Sequence, residues 1–166
     1  MQLKTYCRPI TAEDMEIVHN LKLRQKDIDE LYASTGLPPK EALIQCVDSL
    51  KNTWVVIHND KIEGVFGVHG YPFNSTIGVP WFLATDEFDN FRFWFARYSI
   101  TGIKIMLDEH PILINLIDAR QKDSIEWLKW LGFTVTKENK TTIRGVDFVW
   151  FIKCKEPTER EGDYHV

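Results

Sequence analysis

The sequence predicts an α+β domain: one mixed β-sheet of about six or seven strands, flanked by helices, with a central pair of parallel strands that splays apart. Three observations carry this. Turns and periodicity give the order one strand, helices, three strands, a helix, a strand, a helix and two strands. The stretch from Ile112 to Phe133 is a strand, helix, tight glycine exit and new strand. A long helix, roughly 89–109, separates strands 77–85 and 112–118, as a right-handed crossover between adjacent parallel strands requires. Those two strands are expected to splay around Pro80 or just after it, since proline cannot donate to a ladder.

The elements follow in order. Thr5 to Ile10 reads as a first strand whose Pro9 restricts it to an edge or an end. Thr11 is a helix N-cap, with Asp14 three positions on forming a capping-box-like pair, and Met15, Val18, Leu21 and Leu23 form an apolar stripe. A second helix spans about Lys26 to Ser34, with Ile28, Leu31 and Tyr32 facing in, and Gly36-Leu37-Pro38-Pro39 breaks it. Pro39 suits the first turn of a third helix, Lys40 to Leu50. Residues 54–58 and 62–68 read as strands joined by the hairpin turn Asn59-Asp60-Lys61. Gly70 to Ser75 is a second turn, and Ile77 to Thr85 the next strand. His110-Pro111 ends the long helix.

The run Ile112-Leu113-Ile114-Asn115-Leu116-Ile117 has the length and apolarity of a strand buried on both faces. After the turn 118–123, Ile125, Leu128 and Leu131 share one helical face, which Trp127 and Trp130 widen. Gly132 sits where positive φ closes a helix. Phe133 to Thr136 restarts as a strand, and Ile143 to Cys154 is the last one. Residues 1–155 form a single domain, and 156–166 read as a flexible polar tail.

The chain has 166 residues, 44% hydrophobic and 27% charged, as an ordinary globular domain has. The net charge is −4, with no run of basic residues, so non-specific nucleic-acid binding lacks its driving force. Cys7, Cys46 and Cys154 are widely spaced and read as reduced thiols. His19, His58, His69, His110 and His165 form no ligand-spaced set, so no metal site is expected. No apolar run is long enough to span a bilayer, and the N-terminus lacks the apolar core of a signal peptide. The protein is expected to work inside a cell or a particle assembled there.

Leu131-Gly132-Phe133, closing a helix that follows a strand bearing Asn115, resembles the C-terminal half of the GNAT acetyltransferase superfamily. Four blocks carry a closer resemblance. They are Arg24-x-x-Asp27-x-x-Glu30; Gly78-Val79-Pro80-Trp81-Phe82-Leu83-Ala84-Thr85-Asp86; Asn115-x-x-Asp118-Ala119-Arg120; and Trp127-Leu128-Lys129-Trp130-Leu131-Gly132-Phe133. Together they are similar to the small GNAT-like internal virion, or core, proteins of short-tailed bacteriophages. That resemblance implies a virion-associated or assembly protein, found in the host cytoplasm, the virion or both. Its partners would be other phage structural proteins or a host protein, with no specific nucleic acid and no membrane. The alternative it leaves open is an active N-acyltransferase moving an acetyl group from acetyl-CoA to an amine of a host protein or small molecule.

If acetyl-CoA binds, the resemblance implies contacts from Trp81, Leu83, Thr85 and Asn115. Active members carry an Arg/Gln-x-x-Gly-x-Gly/Ala loop after the strand. Here Thr85 to Arg92 has no glycine and bears Asp86, Glu87 and Asp89, which read as helix-capping acids. The position of the usual acid, a Tyr, holds Leu128. Tyr98 and Tyr32 are displaced substitutes at best, and both read as core; Asp118 and Tyr98 are the catalytic candidates that remain. Asp118 caps helix 121–131, pairs with Arg120, or meets a ligand. Arg24, Asp27 and Glu30 lie three apart on one helical face and read either as surface pairs or, with Arg120, as a substrate or partner site.

Overall fold

Local turn chemistry builds the sheet. In the computed structural model, which describes residues 4–157, Asn59 and Asp60 both hold positive φ, 51° and 65°. That is the two-residue turn whose twist matches a hairpin. It joins β2 (Thr53–His58) to β3 (Lys61–Tyr71). Pro72 and Phe73, the latter at φ 65°, turn β3 into β4 (Asn74–Ala84). Arg144 and Gly145, at φ 47° and 75°, turn β6 (Thr134–Ile143) into β7 (Val146–Cys154). With β1 (Thr5–Pro9) at one edge and β5 (Ile112–Asp118) in the middle, the seven strands run in the order β1-β2-β3-β4-β5-β7-β6. Among the described residues β4 and β5 form the one parallel pair.

Helices cover both faces. α1 (Asp14–His19), α2 (Gln25–Thr35) and α3 (Pro39–Cys46) bury Val18, Leu31 and Leu43 against Val55, Ile57 and Val65 of the sheet. On the other face, α4 (Arg92–Glu109) and α5 (Lys122–Trp130) bury Phe95, Met106, Ile125 and Leu128 against Phe66, Leu113, Val149 and Phe151. Among the described residues no helix is long and apolar enough to cross a membrane.

The exit from α5 shows sequence becoming structure most directly. Gly132 has φ 92°, its N–H donates to Lys129 O at 3.0 Å, and the Phe133 N–H donates to Leu128 O at 3.0 Å. These two bonds are the Schellman pattern, and Leu128 and Phe133 meet in the core as that pattern favours. Lys153 Nζ donates to Leu131 O at 3.0 Å, where a Cβ on residue 132 would stand.

Several boundaries differ from expectation. α3 ends at Cys46 rather than Leu50: Val47 drops into the core, its carbonyl meets His19 Nε2 at 2.8 Å, and Leu50 is left exposed. The turn expected over 70–75 narrows to Pro72 and Phe73. The strand expected to stop at Thr136 runs to Ile143, past a register shift between Thr136 and Thr141. It is a polar edge strand, so no alternation of apolar residues announced it. The helix expected from Asp89 begins at Arg92, behind a 3-10 turn, Asp86–Asn90. Tyr32 and Trp130, expected on buried faces, are 60% and 59% exposed. The Thr11–Asp14 pair runs in reverse: the Thr11 N–H and hydroxyl donate to the Asp14 carboxylate, which also pairs with Arg8. Residues 158–166 of the expected tail, with His165, lie outside the described residues.

The α5 exit yields a test. A β-branched residue at 132 would be forced into left-handed backbone and would displace Lys153 from its carbonyl. Gly132→Val is expected to lower unfolding free energy by more than about 1 kcal/mol, measured by urea denaturation. An unchanged midpoint would contradict the assignment.

Candidate functional site

The site begins where two strands part. β4 and β5 pair only at Ile77–Ile112 and Gly78–Leu113. A Cβ at Gly78 would stand 2.7 Å from Val68 Cγ2 and 2.8 Å from His110 Cβ, so glycine is what lets the strands seat at the base of the fork. Above it comes Pro80, which pairs across β3 with Val68. Val68 spends its N–H on Asn52 in the opposite direction, so alternation turns the backbone edge of Pro80 towards β5. Proline offers no N–H there, the ladder stops, and Asn115 Nδ2 bridges to Pro80 O at 2.8 Å instead. The same alternation points the N–H and C=O of Phe82 into the open fork.

At the far end the edge of β4 is closed by the start of α2. The Arg24 N–H donates to Ala84 O at 2.9 Å, and the Ala84 N–H donates to Asp27 Oδ2 at 3.0 Å. Asp27 also accepts from Arg24 Nε and Nη2 at 2.9 and 3.0 Å. The Arg24 guanidinium lies over the rings of Phe88 and Phe82, 4.6 and 5.5 Å from their centroids. Burial pushes the Asp27 carboxyl up, against the pull of Arg24 and the Ala84 N–H.

Between these closures a cleft of about 460 Å³ runs through the sheet. On the α4–α5 side it is lined by Phe66, Phe82, Phe95 and Trp127; Ser99 and Gly102, one turn apart on the buried face of α4, leave room there. On the α2 side it is lined by Arg24, Asp27, Glu30, Ser34, Gln121 and Ser124. Gln121 Nε2 donates to Glu30 Oε2 at 2.5 Å and so ties α2 to the entrance of α5. Glu30 is pushed up to about 7, by burial first and then by the neighbouring Asp27 and Asp118 charges.

Of the residues singled out from sequence, Arg24, Asp27, Glu30, Trp81, Leu83, Tyr98 and Asn115 line this cleft. The two catalytic candidates, Asp118 and Tyr98, are both engaged by neighbours. Asp118 is buried, off the cleft wall, and held by Arg120 at 2.6 to 3.1 Å. Burial acts to raise its carboxyl, but the Arg120 hydrogen bonds outweigh that and leave it below the usual range. It therefore pairs with Arg120 and does not cap α5, whose N-cap is Gln121. Arg120 itself is largely exposed. Tyr98 sets its ring on the cleft wall, but its hydroxyl faces the Cys7 thiol on β1; burial, then Cys7, raises it. Burial in turn pushes Cys7 up to about 12. Thr85 lies away from the cleft, its hydroxyl donating to the Glu63 carboxylate. Sequence reasoning missed Gln121, Ser99 and Gly102. The small residues facing one way along an otherwise bulky α4 are the signal that was there to read. Among the described residues no group of three His, Cys, Asp or Glu could hold a metal ion.

No protein-family model and no curated protein sequence matches the chain. Solved structures match it in shape. An acetyltransferase of the GNAT family from Bacillus anthracis does so with a TM-score of 0.67 at 13% identity, over 92% of this chain and 96% of that one. The ribosomal-protein-S5-alanine acetyltransferase from Vibrio fischeri gives 0.64 at 19%, over 92% and 93%. An aminoglycoside acetyltransferase in complex with coenzyme A gives 0.65 at 9%, over 91% and 95%. The likeness is one of fold: the chain has the GNAT acetyltransferase fold, with its mixed sheet flanked by helices.

Glu30 makes stability depend on pH in a stated direction. Its ordinary value is 4.5 and its folded value about 7, so the native state holds this proton more tightly than the unfolded chain does. The stabilisation is complete below 4.5 and is lost as pH rises through 7. Glu30→Gln removes the titration and is expected to stabilise the protein at pH 8 relative to wild type, by on the order of 1–3 kcal/mol, with little difference at pH 4.5. Urea unfolding at both pH values checks this; a difference independent of pH would contradict it.

Proposed function

We propose that this chain is a GNAT-fold protein in which acetyl-CoA-dependent transfer is reduced or lost. Its role is contact with other proteins, as a virion-associated or assembly component of a short-tailed bacteriophage. The phage assignment rests on the four sequence blocks carrying Arg24, Trp81, Asn115 and Gly132. The functional reading rests on the turn after β4.

Acyl carriers of this kind hold a pyrophosphate, which calls for free backbone N–H groups at a helix N-terminus and for room to approach them. In the turn from Thr85 to Phe91 three of those groups are already committed. The Glu87 N–H is spent on Thr85 Oγ1, the Phe88 N–H on Thr85 O and the Phe91 N–H on Phe88 O. The Phe88 ring is packed under Arg24 and against Phe82, Phe91 and Phe95, which pins the turn down. Asp86, Glu87 and Asp89 present carboxylates outward where phosphates would need cations. The residues present do not fit the group. Leu128, buried on the cleft wall, has no proton to give a leaving thiolate; general acid catalysis is worth about 100- to 10,000-fold.

The second reading, an N-acyltransferase acting on an amine of a host protein or small molecule, is favoured by one observation. The fork is open, and Glu30 lines it with a carboxyl poised near neutral pH, where a general base works best. One experiment separates the two. Purified protein is incubated with acetyl-CoA and a panel of polyamines and lysine peptides, thiol release is followed, and purified particles are searched for the chain by mass spectrometry. The expected result is release no faster than in buffer, with the chain present in particles. Sustained turnover on any amine, with the chain missing from particles, would install the second reading.

A further inference from the structure

α4 carries a second stripe that its own core does not use. Its buried residues Phe95, Ser99, Gly102 and Met106 follow a four-three-four spacing along one side of the helix. Phe93, Arg97, Ile100 and Lys104 repeat that spacing two positions earlier, about 200° round the helix, and so point directly away from the sheet. Phe93 is 74% and Ile100 43% exposed, and Arg97 and Lys104 are exposed between and beyond them. Among the described residues neither cation stands in an ion pair. No acid occurs between Phe91 and Leu107, although the chain as a whole has a net charge of −4. The stripe is about 16 Å long, the span of a short partner helix.

A four-three-four spacing is the seam along which two helices pack. Here the seam alternates an apolar side chain with a cation, and that alternation selects the partner. In a parallel pair of copies of this chain, Arg97 would meet Arg97 and Lys104 would meet Lys104. In an antiparallel pair each cation would meet Phe93 or Ile100, and four cations would share the seam with no acid. A bilayer is no better. The cations lie within the apolar stripe rather than flanking it, so Arg97 would be drawn into the hydrocarbon along with Phe93 and Ile100. A helix that alternates carboxylates with aliphatic side chains at the same spacing matches every position at once. Its carboxylates meet the two cations and its aliphatic groups cover Phe93 and Ile100.

We propose that the outward face of α4 docks a helix of another protein whose contact stripe alternates acidic and aliphatic residues. The reading above says only that this chain contacts other proteins; the stripe supplies a face for that contact and the chemistry of what lands on it. It lies on the side of α4 away from the cleft, so it stands whether or not acetyl transfer occurs.

The probe is a fluorescently labelled synthetic helix of three heptads, each Ala-Gln-Glu-Ala-Ala-Leu-Gln, titrated with the full chain and followed by anisotropy. Its counterparts are the same peptide with Lys for Glu, and phosphatidylserine vesicles. The expected Kd for the acidic peptide is about 100 μM or tighter, weakening as salt is raised. The lysine peptide and the vesicles are not bound. Arg97→Glu combined with Lys104→Glu weakens the acidic peptide about tenfold or more and creates binding of the lysine peptide, a swap that damage to the fold could not produce. Phe93→Ser combined with Ile100→Ser also weakens the acidic peptide, with circular dichroism unchanged. Lys122→Glu combined with Lys129→Glu, exposed on α5, leaves it unchanged. No binding of the acidic peptide at about 1 mM protein would overturn the proposal. So would equal binding of the lysine peptide, binding of the vesicles in place of the peptide, an α5 pair as damaging as the α4 pair, or failure of the charge swap.

Discussion

A strand edge opened inside a folded domain must find partners for its backbone groups, because a buried N–H or C=O left without one costs about as much as a lost hydrogen bond. The inner edge of β4 faces that constraint from Gly78 onward, and the rest of the centre is arranged around it. Pro80 removes a donor that would otherwise need satisfying, and Asn115 satisfies its carbonyl from the facing strand. Ala84 is satisfied twice by the start of α2, through Arg24 and Asp27. What remains between these closures is the stretch around Phe82, and that stretch forms the cleft. α2 is thus a structural seal on the fork as well as a wall of it.

The seal determines the chemistry of the mouth. Asp27 must stay a hydrogen-bond acceptor for Ala84, and Arg24 keeps it so while lying across Phe88. That same contact fastens the turn from Asp86 to Asn90 against the core. In the reading proposed above, the residues that hold the fork open therefore also take the place of a phosphate cradle. Glu30, bonded by the neutral amide of Gln121, is buried beside Asp27 and Asp118, and its raised carboxyl follows first from that burial and then from their charges.

The parts of this architecture that local rules govern could be read from the sequence. Gly132 closes α5 through bonds between residues at most five apart, and Asn59-Asp60 fixes a hairpin by backbone preference alone. Pro80 announced the splay because a missing donor has the same meaning in any sheet. The parts set by distant contacts could not be read. Glu30 and Gln121 are 91 residues apart, and nothing in either segment signals the other. Tyr98 looked like a displaced acid, yet its hydroxyl is drawn to Cys7 on the opposite edge of the sheet. Asp118 left three readings open, and its pairing with Arg120, two residues on, is settled by the loop between them. β6 escaped notice in part because an exposed polar edge strand carries no apolar alternation.

The central claim is that the turn after β4 gives no purchase to a pyrophosphate while the fork beside it stays open. Pantetheine and coenzyme A differ in the phosphates and nucleotide that such a turn would hold. Their dissociation constants for the full chain, measured side by side by calorimetry at pH 8, test the claim most directly. Coenzyme A is expected to bind no tighter than pantetheine. Binding of coenzyme A tenfold or more tighter than pantetheine would contradict it, since about 1.4 kcal/mol would then be coming from phosphate and nucleotide contacts at a turn whose Glu87, Phe88 and Phe91 N–H groups are spent internally.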